Sequence, residues 1–471
     1  MKNVFSKEVI HVVGGGLAGS ECAYQLARRG HLVCLHEMRQ GGTFTPAHKT
    51  RDFAELVCSN SFGSQTDYSA PGQLKWEAER LDSLILKSAR KASIPAGMAL
   101  GVDRKIFSQE VTKALKSFPN IQFKSDPVFS LDDIPRPAVI ATGPLTHESL
   151  ALSIQEHLKE EEEEHFLYFY DAIAPVIDAD SIDMSIAWKA NRYDDINKDY
   201  INCPLSKEEY FLLVEEIKNA QKVAPKEFED IPCFEGCMPV ENFVERGPLT
   251  LRFGPLSPKG LKNPKTGKTP FAVVQLRQEN KEATAYNMVG FQTKMKYGEQ
   301  IRVFRKIPGL QEAEFLKLGS IHKNLYIHTP KKLTQSLSSP RDPFLFFAGQ
   351  ITGVEGYFES TCIGLLVALF LDASLSGKKL SPPPRETAIG ALLNALIEEK
   401  EYFQPTNINF GLFPRISMDQ KRINKKKKRE LILRRAQSYF EKWMEESVGL
   451  KSNVRDLSLC QENGIKRSFL K

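Results

Sequence analysis

Three glycines and one acid near the start of the chain have the types and spacing of a nucleotide site. Gly14, Gly16 and Gly19 stand between an apolar run and a segment of helical composition, and Glu37 follows 18 residues after Gly19. In a strand–turn–helix–strand unit, the first glycine permits a tight turn, the second lets a pyrophosphate reach the backbone, and the third allows close helix packing. The pattern predicts a dinucleotide site in which Glu37 binds a ribose hydroxyl. The simpler alternative is a glycine-rich turn in an ordinary α/β domain.

A second strand–glycine loop–helix unit lies far along the chain. An apolar run, 344–347, leads into a loop with glycines, and a helix of small residues is predicted around 364–373. The partial positive charge of a helix N-terminus suits the carbonyl side of a flavin ring. A nicotinamide dehydrogenase does not need this unit, so the sequence favours FAD. Because we find no second G-x-G-x-x-G, NAD(P)H is expected to bind only transiently as a reductant. The predicted cofactor contacts are Gly14, Gly15, Gly16, Leu17, Ala18, Gly19, Glu37, Gly143, Gly349, Gln350 and Gly356.

The chain also contains eight cysteines, and one of them stands at a suggestive boundary. Cys58 lies between a short apolar segment and a small polar one, where a thiol could be exposed, although local composition alone favours a buried structural cysteine. Cys233 and Cys237 are four residues apart without a matching Cys or His pair, and no C-x-x-C pair occurs. We therefore predict no structural metal site, and reduced thiols in a cytoplasmic protein.

Composition limits the class of protein. The chain has 471 residues, of which 41% are hydrophobic and 26% charged, values typical of a soluble globular protein with two or three structural units. We expect no apolar run of the roughly 18–20 residues that cross a membrane, and no secretion signal. The net charge of +6 permits a polyanionic partner without demonstrating one.

The order of the patterns predicts an α/β fold with a Rossmann-like FAD-binding domain of the glutathione-reductase type and an inserted α+β domain. The predicted bounds are 1–180 for the first part of the FAD-binding domain, 181–325 for the inserted substrate domain, and 326–471 for the second part with a basic helical tail. Within the first part, apolar spacing predicts one amphipathic helix from Trp76 to Ala89.

Two basic segments are candidates for contacts with a phosphate backbone. The first is a loop that carries Lys259, Lys262, Lys265 and Lys268. The second is the tail, where Lys421 to Arg429 contains seven positive charges in nine residues. A solvated charged helix is the alternative for the tail; binding to nucleic acid would be sensitive to salt.

Eight motifs occur in order along the chain: 14–21 (GGGLAGSE), 56–61 (LVCSNS), 141–145 (ATGPL), 170–175 (YDAIAP), 234–239 (FEGCMP), 251–255 (LRFGP), 274–278 (VQLRQ) and 347–357 (FAGQITGVEGY). In this order they resemble the folate- and FAD-dependent tRNA (uracil-5-)-methyltransferases, the TrmFO family, which is related to the larger GidA flavoproteins. The resemblance extends from about residue 9 to residue 413 and is much weaker over the last roughly 50 residues.

The resemblance implies C5 methylation of a uridine in the tRNA T-loop, with carbon from 5,10-methylenetetrahydrofolate, FAD as cofactor and NAD(P)H as reductant. It also implies that Cys237 adds to C6 of the uracil and that Cys58 removes the C5 proton, although the two roles could be exchanged. A cation near Cys237 would favour its thiolate, and Arg246 or Arg252 could supply it. Tyr357 is a candidate stacking partner for the pterin.

Three rival functions share parts of this pattern. The first is the same chemistry on ribosomal RNA, which the flavin and thiol motifs do not separate from tRNA methylation. The second is a non-catalytic, RNA-binding flavoprotein, and the third is a general FAD oxidoreductase for small substrates, which has no use for the basic segments. The oligomeric state stays open.

Overall fold

The computed structural model describes residues 8–45, 47–159, 167–194, 196–223, 238–400, 403–416 and 424–448. The predicted nucleophile Cys237 and the tail residues 417–423 lie outside these ranges. The strands are β1 (Ile10–Val13), β2 (Val33–His36), β3 (Ser61–Ser64), β4 (Ser93–Ile94), β5 (Ala99–Val102), β6 (Ile121–Lys124), β7 (Ala138–Ile140), β8 (Leu167–Ala172), β9 (Val176–Asp178), β10 (Trp188–Lys189), β11 (Tyr200–Leu205), β12 (Ala272–Gln278), β13 (Ala285–Met288), β14 (Phe315–Lys317), β15 (Ile321–Tyr326) and β16 (Leu345–Phe347). The helices are α1 (Leu17–Arg28), α2 (Ala70–Arg80), α3 (Leu84–Lys91), α4 (Arg104–Lys116), α5 (Glu148–Leu158), α6 (Lys207–Asn219), α7 (Val240–Glu245), α8 (Thr250–Phe253), α9 (Tyr297–Phe304), α10 (Thr329–Lys332), α11 (Tyr357–Leu375), α12 (Ala388–Ile397) and α13 (Lys425–Trp443).

A parallel sheet in the order β16-β7-β1-β2-β6 forms the centre of the first core. Strands β1, β2, β7 and β16 are buried along their whole length, as expected for parallel strands covered on both faces. The chain continues from β1 to β2 on one side, while β7 lies on the other side of β1. Ligands of open α/β sheets bind at such a switch point, outside the carboxyl ends of the strands.

Helix α11 is the longest apolar helix in the described residues and corrects one expectation. It has 19 residues with a mean hydropathy of 1.6, long and apolar enough to cross a membrane by length and composition. However, 72% of its most apolar window is buried inside the protein. A helix that is apolar on all sides fits the centre of a core, and α11 packs there against α1. The composition of α11 is therefore explained by its burial.

The predicted single helix from Trp76 to Ala89 is wrong. The structure has α2 and α3 instead, separated by a turn in which Asp82 adopts a φ of +65°. Ser83 caps α3, and the buried carboxylate of Glu21 accepts hydrogen bonds from the backbone N–H groups of Leu84 and Ile85 at 3.2 and 2.9 Å. These two caps satisfy donors that a continuous helix would have paired internally.

The inserted part of the chain has its own core. An antiparallel sheet in the order β10-β11-β12-β13-β9-β14 packs against α6, α7 and α9, and its buried apolar residues extend from Ile177 to Ala313. The chain leaves the first core along β8 and returns along β15, and these two strands pair antiparallel. The described residues thus form two large hydrophobic cores and a small third cluster of Trp188, Leu261 and Val273. The predicted boundaries at 180 and 325 stay a prediction about domains.

The contact between α1 and α11 can be tested at Gly364. A methyl group on Gly364 would lie 2.2 Å from the backbone oxygen of Ala18, which cannot move without shifting α1. We expect Gly364→Ala to lower the free energy of unfolding by about 3 kcal/mol or more, measured by chemical denaturation.

The matched control is Gly298→Ala in α9, where a methyl group meets nothing within 4 Å. Ala is favoured over Gly in a helix by roughly 0.5–1 kcal/mol, so this variant should be neutral or slightly more stable. Equal stability of the two variants would contradict the proposed close packing.

Candidate active site

The first glycine loop has a separate steric reason for each of its three spaced glycines. Gly14 has a φ of +101°, and a methyl group there would lie 2.5 Å from the oxygen of Ala141. A methyl group on Gly19 would lie 1.8 Å from the oxygen of Gly14, so α1 begins in contact with the turn. At Gly16 a methyl group would meet nothing within 4 Å, and this residue lines a cavity. The loop thus presents bare backbone to the cavity at the N-terminus of α1, a site suited to an anion.

Glu37 fastens this loop to the end of β2. Its Oε2 accepts hydrogen bonds from the backbone N–H of Gly15 and from Nη2 of Arg39, both at 2.9 Å. Its Oε1 accepts from the backbone N–H and Nε of Arg39 at 3.1 and 3.0 Å. A carboxylate offers about four acceptor positions, so these four hydrogen bonds occupy all of them. Sequence reasoning predicted a ribose contact and missed this positioning role, although Arg39 stands only two residues away.

The electrostatic consequence for Glu37 follows from these contacts. Burial alone would raise the pKa of Glu37, but the hydrogen bonds and charge of Arg39, with the N–H of Gly15, outweigh it and hold the pKa below its ordinary value. Glu37 therefore stays ionised at neutral pH, and the loop keeps its anchor.

One cavity connects the predicted cofactor residues with Cys58. Its lining includes Gly14, Gly16, Leu17, Ala18, Glu37, Gly143, Gln350, Gly356 and Cys58. Gly15, Gly19 and Gly349 do not line it; instead a methyl group on Gly349 would lie 2.5 Å from the Cβ of Ala18, where the second loop crosses α1. The structure thus brings both glycine loops and one predicted catalytic thiol to one cavity. Contact of these residues with a cofactor stays a prediction.

Gln350 is the polar side chain in this cavity that most clearly indicates a ligand. Both its Nε2 and Oε1 atoms are buried, and neither has a hydrogen-bond partner within the described part of the chain. Buried amide groups in folded proteins are almost always paired, because an unpaired one loses its water without replacement. Gln350 is therefore placed to bind polar atoms of a molecule in the cavity.

Cys58 is half-buried in the wall of the cavity, next to Tyr357 at the start of α11. The hydroxyl oxygen of Tyr357 accepts hydrogen bonds from the backbone N–H groups of Cys58 and Ser59 at 2.7 and 3.1 Å. Burial raises the pKa of Tyr357, so the hydroxyl stays protonated. Tyr357 was predicted as a stacking partner for the pterin; its ring does line the cavity, and its hydroxyl holds the Cys58 loop. Since Cys237 lies outside the described residues, its position relative to Cys58 is not part of this geometry.

Two of the predicted cationic candidates make contacts within the inserted part of the chain. The ammonium of Lys265 donates to the carbonyl oxygens of Met184, Ser185 and Ala187. The guanidinium of Arg252 lies over the ring of Phe271, 4.4 Å from its centroid, and its Nε donates to the Phe271 carbonyl. Lys265 is therefore a structural residue rather than a phosphate contact. Lys259, Lys262 and Lys268 are exposed, and the role of Arg246 or Arg252 beside Cys237 stays a prediction.

A buried group on β1 and β2 has the residue types of metal ligands. The ligand atoms of His11, Cys34 and His36 lie within 4.8 Å of one another. The two histidines already form a hydrogen bond, Nδ1 of His11 to Nε2 of His36, at 2.9 Å. Lys124, which pairs with His36 in the sheet, adds a positive charge that disfavours a cation. The expected absence of a metal stays a prediction.

Comparison with known proteins places the chain in a family. The family described as Glucose inhibited division protein A matches residues 9–379. A protein of Bdellovibrio bacteriovorus is 60% identical over 445 residues, which cover 94% of this chain and 100% of that protein. A protein of Aquifex aeolicus is 48% identical over 443 residues, which cover 94% of this chain and 97% of the relative. Both relatives are named methylenetetrahydrofolate--tRNA-(uracil-5-)-methyltransferase TrmFO.

This chain belongs to the TrmFO family. The resemblance inferred from the eight motifs is thereby confirmed over nearly the whole length of the TrmFO relatives. The crystal structure of Aquifex aeolicus GidA, in its form II crystal, superposes with a TM-score of 0.66 at 14% sequence identity and covers 93% of this chain and 74% of that chain. This likeness confirms the predicted α/β fold with a Rossmann-like FAD-binding domain.

The histidine pair beside the cavity gives a pH dependence that can be measured. Burial, then repulsion from His11 and Lys124, lowers the pKa of His36 from 6.5 to about 4. Because the folded-state pKa lies below the unfolded value, the unfolded chain binds the proton first as pH falls. The stabilisation is complete above pH 6.5 and is lost between pH 6.5 and about 4, at most about 1.4 kcal/mol per pH unit.

We expect His36→Gln, which keeps a hydrogen-bonding side chain beside His11 but does not titrate, to flatten this dependence by about 2–3 kcal/mol across that window. Chemical denaturation of both proteins from pH 7.5 to pH 4.5 measures the difference. Parallel stability curves would show that the pKa of His36 does not differ between the folded and unfolded chains.

Proposed function

We propose that this protein methylates C5 of a uridine in the T-loop of tRNA, with 5,10-methylenetetrahydrofolate as carbon donor, FAD as cofactor and NAD(P)H as reductant. Membership of the TrmFO family supports the reaction, because the relatives named above carry this activity in their names. The observation that carries the proposal is the shared cavity: the dinucleotide loop, the second glycine loop and the Cys58 thiol all open into it.

The described residues fit a dinucleotide of the FAD type. Gly16 and the N-terminus of α1 would hold the diphosphate, and the end of β2 at Glu37 would face the adenosine ribose. Gln350 would bind polar atoms of the ring end, near the N-terminus of α11. FAD, when bound, supplies the redox chemistry and the one-carbon transfer that side chains alone do not provide.

The two thiols perform the steps on the uracil. C5 of uracil is a poor nucleophile, and addition of the Cys237 thiolate to C6 raises electron density at C5 so that it can attack the one-carbon unit. The C5 proton then leaves to the Cys58 thiolate as the carbon is released from its carrier. The two electrons that NAD(P)H supplies reduce this carbon to a methyl group, and elimination of Cys237 as a thiolate restores the ring. Cys58 fits the role of base because it is half-buried in the cavity wall, close to where the ring end of the cofactor would lie.

The uridine must leave the folded T-loop to reach this cavity, at a cost of a few kcal/mol. Exposed cations on the protein must therefore hold the RNA backbone. Helix α13 begins with four exposed lysines, Lys425 to Lys428, and only Lys427 of these pairs with Glu430 at 3.4 Å. The start of α13 and the exposed lysines of the 259–268 loop are the surfaces we propose for phosphate contacts. A cytoplasmic location stays a prediction.

The reaction can be tested with purified protein. Unmodified tRNA transcript, NADPH, FAD and 5,10-methylenetetrahydrofolate should give 5-methyluridine at one T-loop position, whereas S-adenosylmethionine as the only donor should give none. Cys58→Ala should reduce the rate by at least about 10²-fold, the usual contribution of a general base. The product is measured by mass spectrometry of digested RNA.

The substrate is tested in a deletion strain. Loss of 5-methyluridine from tRNA is the expected result. Loss from ribosomal RNA alone would contradict the tRNA assignment and favour the ribosomal alternative. A Cys58→Ala, Cys237→Ala double variant that still binds RNA and restores the deletion strain's phenotype would favour a non-catalytic flavoprotein.

The proposed cofactor contact of Gln350 predicts a separable effect. Gln350→Leu keeps the side-chain volume but loses both polar atoms, and we expect FAD to bind about tenfold more weakly, as for one or two lost hydrogen bonds. The change is measured as the increase in flavin fluorescence when FAD dissociates from the diluted protein.

Gln300→Leu is the matched control, because Gln300 is buried but donates to Met295 and Gly319 of the protein itself at 2.8 and 3.0 Å. This variant should have a lower melting temperature but should bind FAD as tightly as the unchanged protein. If Gln350→Leu instead lowers stability and leaves FAD binding unchanged, Gln350 does not bind the cofactor.

A further inference from the structure

The segment that carries Cys58 is held by side chains rather than by a strand or helix. Arg104 donates to the carbonyl oxygens of Leu56 and Cys58 at 3.1 and 3.4 Å. The hydroxyl oxygen of Tyr357 accepts from the backbone N–H groups of Cys58 and Ser59, as described above. Lys317 donates from Nζ to the carbonyl oxygen of Val57 at 3.0 Å. Four successive residues, 56–59, are thus fixed through five backbone groups, and three side chains supply all five contacts.

Two of these three side chains depend on the inserted core. Lys317 is the last residue of β14, the edge strand of the antiparallel sheet. Arg104 is oriented by Glu279, just after β12: its Nη2 donates to Oε1 at 3.1 Å, and its Nε lies 2.8 Å from Oε2. By contrast, Tyr357 and Arg104 belong to helices of the first core. Side chains from both cores therefore hold the Cys58 loop, residues 56–59.

The charges around the Cys58 loop cost free energy, and a contribution to stability alone does not explain this cost. Burial, then repulsion from Arg104 and Lys49, lowers the pKa of the half-buried Lys317. Arg104, Arg277 and Lys317 all interact electrostatically with Cys58, and Glu279 is the acid that acts on each of these three cations. A cation kept half-buried against other cations, with its donor directed at a loop carbonyl, is better explained by a role at the thiol than by packing.

We propose that Lys317 is a positioning residue for Cys58, and that the Lys317–Val57 contact ties the placement of the catalytic thiol to the inserted domain. This inference rests on the proposed role of Cys58 as the base. Its chemical sense is that the inserted part also contains the sequence position of the second thiol, Cys237. When the inserted domain is seated, its β14 edge holds the Cys58 loop, so the position of this thiol follows the position of the inserted domain.

The test uses the full-length, FAD-loaded enzyme. Lys317→Met removes the donor but keeps the length of the chain, and Lys317→Arg restores a donor and its charge. Lys400→Met is the matched control, because Nζ of Lys400 donates to the carbonyl of Ala395 at 2.9 Å, a contact of the same kind that does not involve residues 56–59. The readouts are amide hydrogen exchange of the peptide containing residues 56–59, alkylation of Cys58 by iodoacetamide, and kcat and KM for tRNA.

We expect Lys317→Met to raise exchange of that peptide and to lower kcat, each by about tenfold as for one charge-assisted hydrogen bond, with KM for tRNA within about twofold. Lys317→Arg should recover most of both effects, and Lys400→Met should change neither. The alkylation rate of Cys58 should change with Lys317→Met alone.

Two results would overturn the inference. Unchanged exchange and kcat in Lys317→Met would show that the contact does not position the loop. A raised KM for tRNA with unchanged kcat and exchange would make Lys317 a phosphate contact instead. Failure of the proposed function has a different signature: Cys58→Ala would then remain active, while the exchange of residues 56–59 would still respond to Lys317→Met.

Discussion

The close approach of α1 to the strand before it is the constraint on which the rest of the site depends. Because Gly19 touches the oxygen of Gly14, the helix starts directly at the carboxyl ends of the sheet. The N–H groups at the start of α1 then face the cavity instead of a side chain. Glu37 completes the arrangement from β2 by holding the N–H of Gly15. Without this packing, the two glycine loops and Cys58 would not line one cavity.

Local sequence patterns were sufficient to predict the parts of the fold that backbone geometry determines. The glycine spacing predicted the strand–turn–helix unit because a Cβ has no room at Gly14 or Gly19, and apolar runs predicted the buried strands. The break between α2 and α3 was missed because its cause, the carboxylate of Glu21, lies about 60 residues earlier in the chain. The membrane-length helix was missed for a related reason: its apolar surface is covered by partners distant in sequence.

The active-site contacts divide in the same way. Cys58 was predicted as a catalytic residue through its motif, since composition alone favoured an inert core cysteine, and it lines the cavity. Arg104, Glu279 and Lys317 gave no local signal, because each is an ordinary charged residue until the fold brings it to the Cys58 loop. Lys265 shows the opposite error, since a lysine in a basic loop suggested RNA while its ammonium is bound to three carbonyls of its own core. Sequence patterns therefore do not predict a function that a side chain gains from contacts with residues far away in the sequence.

The paired strands β8 and β15 have a consequence for how the molecule is assembled. Ala172 and Ile321 are direct partners in this ladder, so the two ends of the intervening segment lie about 5 Å apart. A segment that has folded with its ends together adds little closure entropy to its host, and for an unfolded segment this cost grows only with the logarithm of its length. The first core can therefore condense from its two distant halves while the intervening segment folds by itself. Over evolution, that segment could be lengthened, exchanged or trimmed without disturbing the nucleotide fold around it.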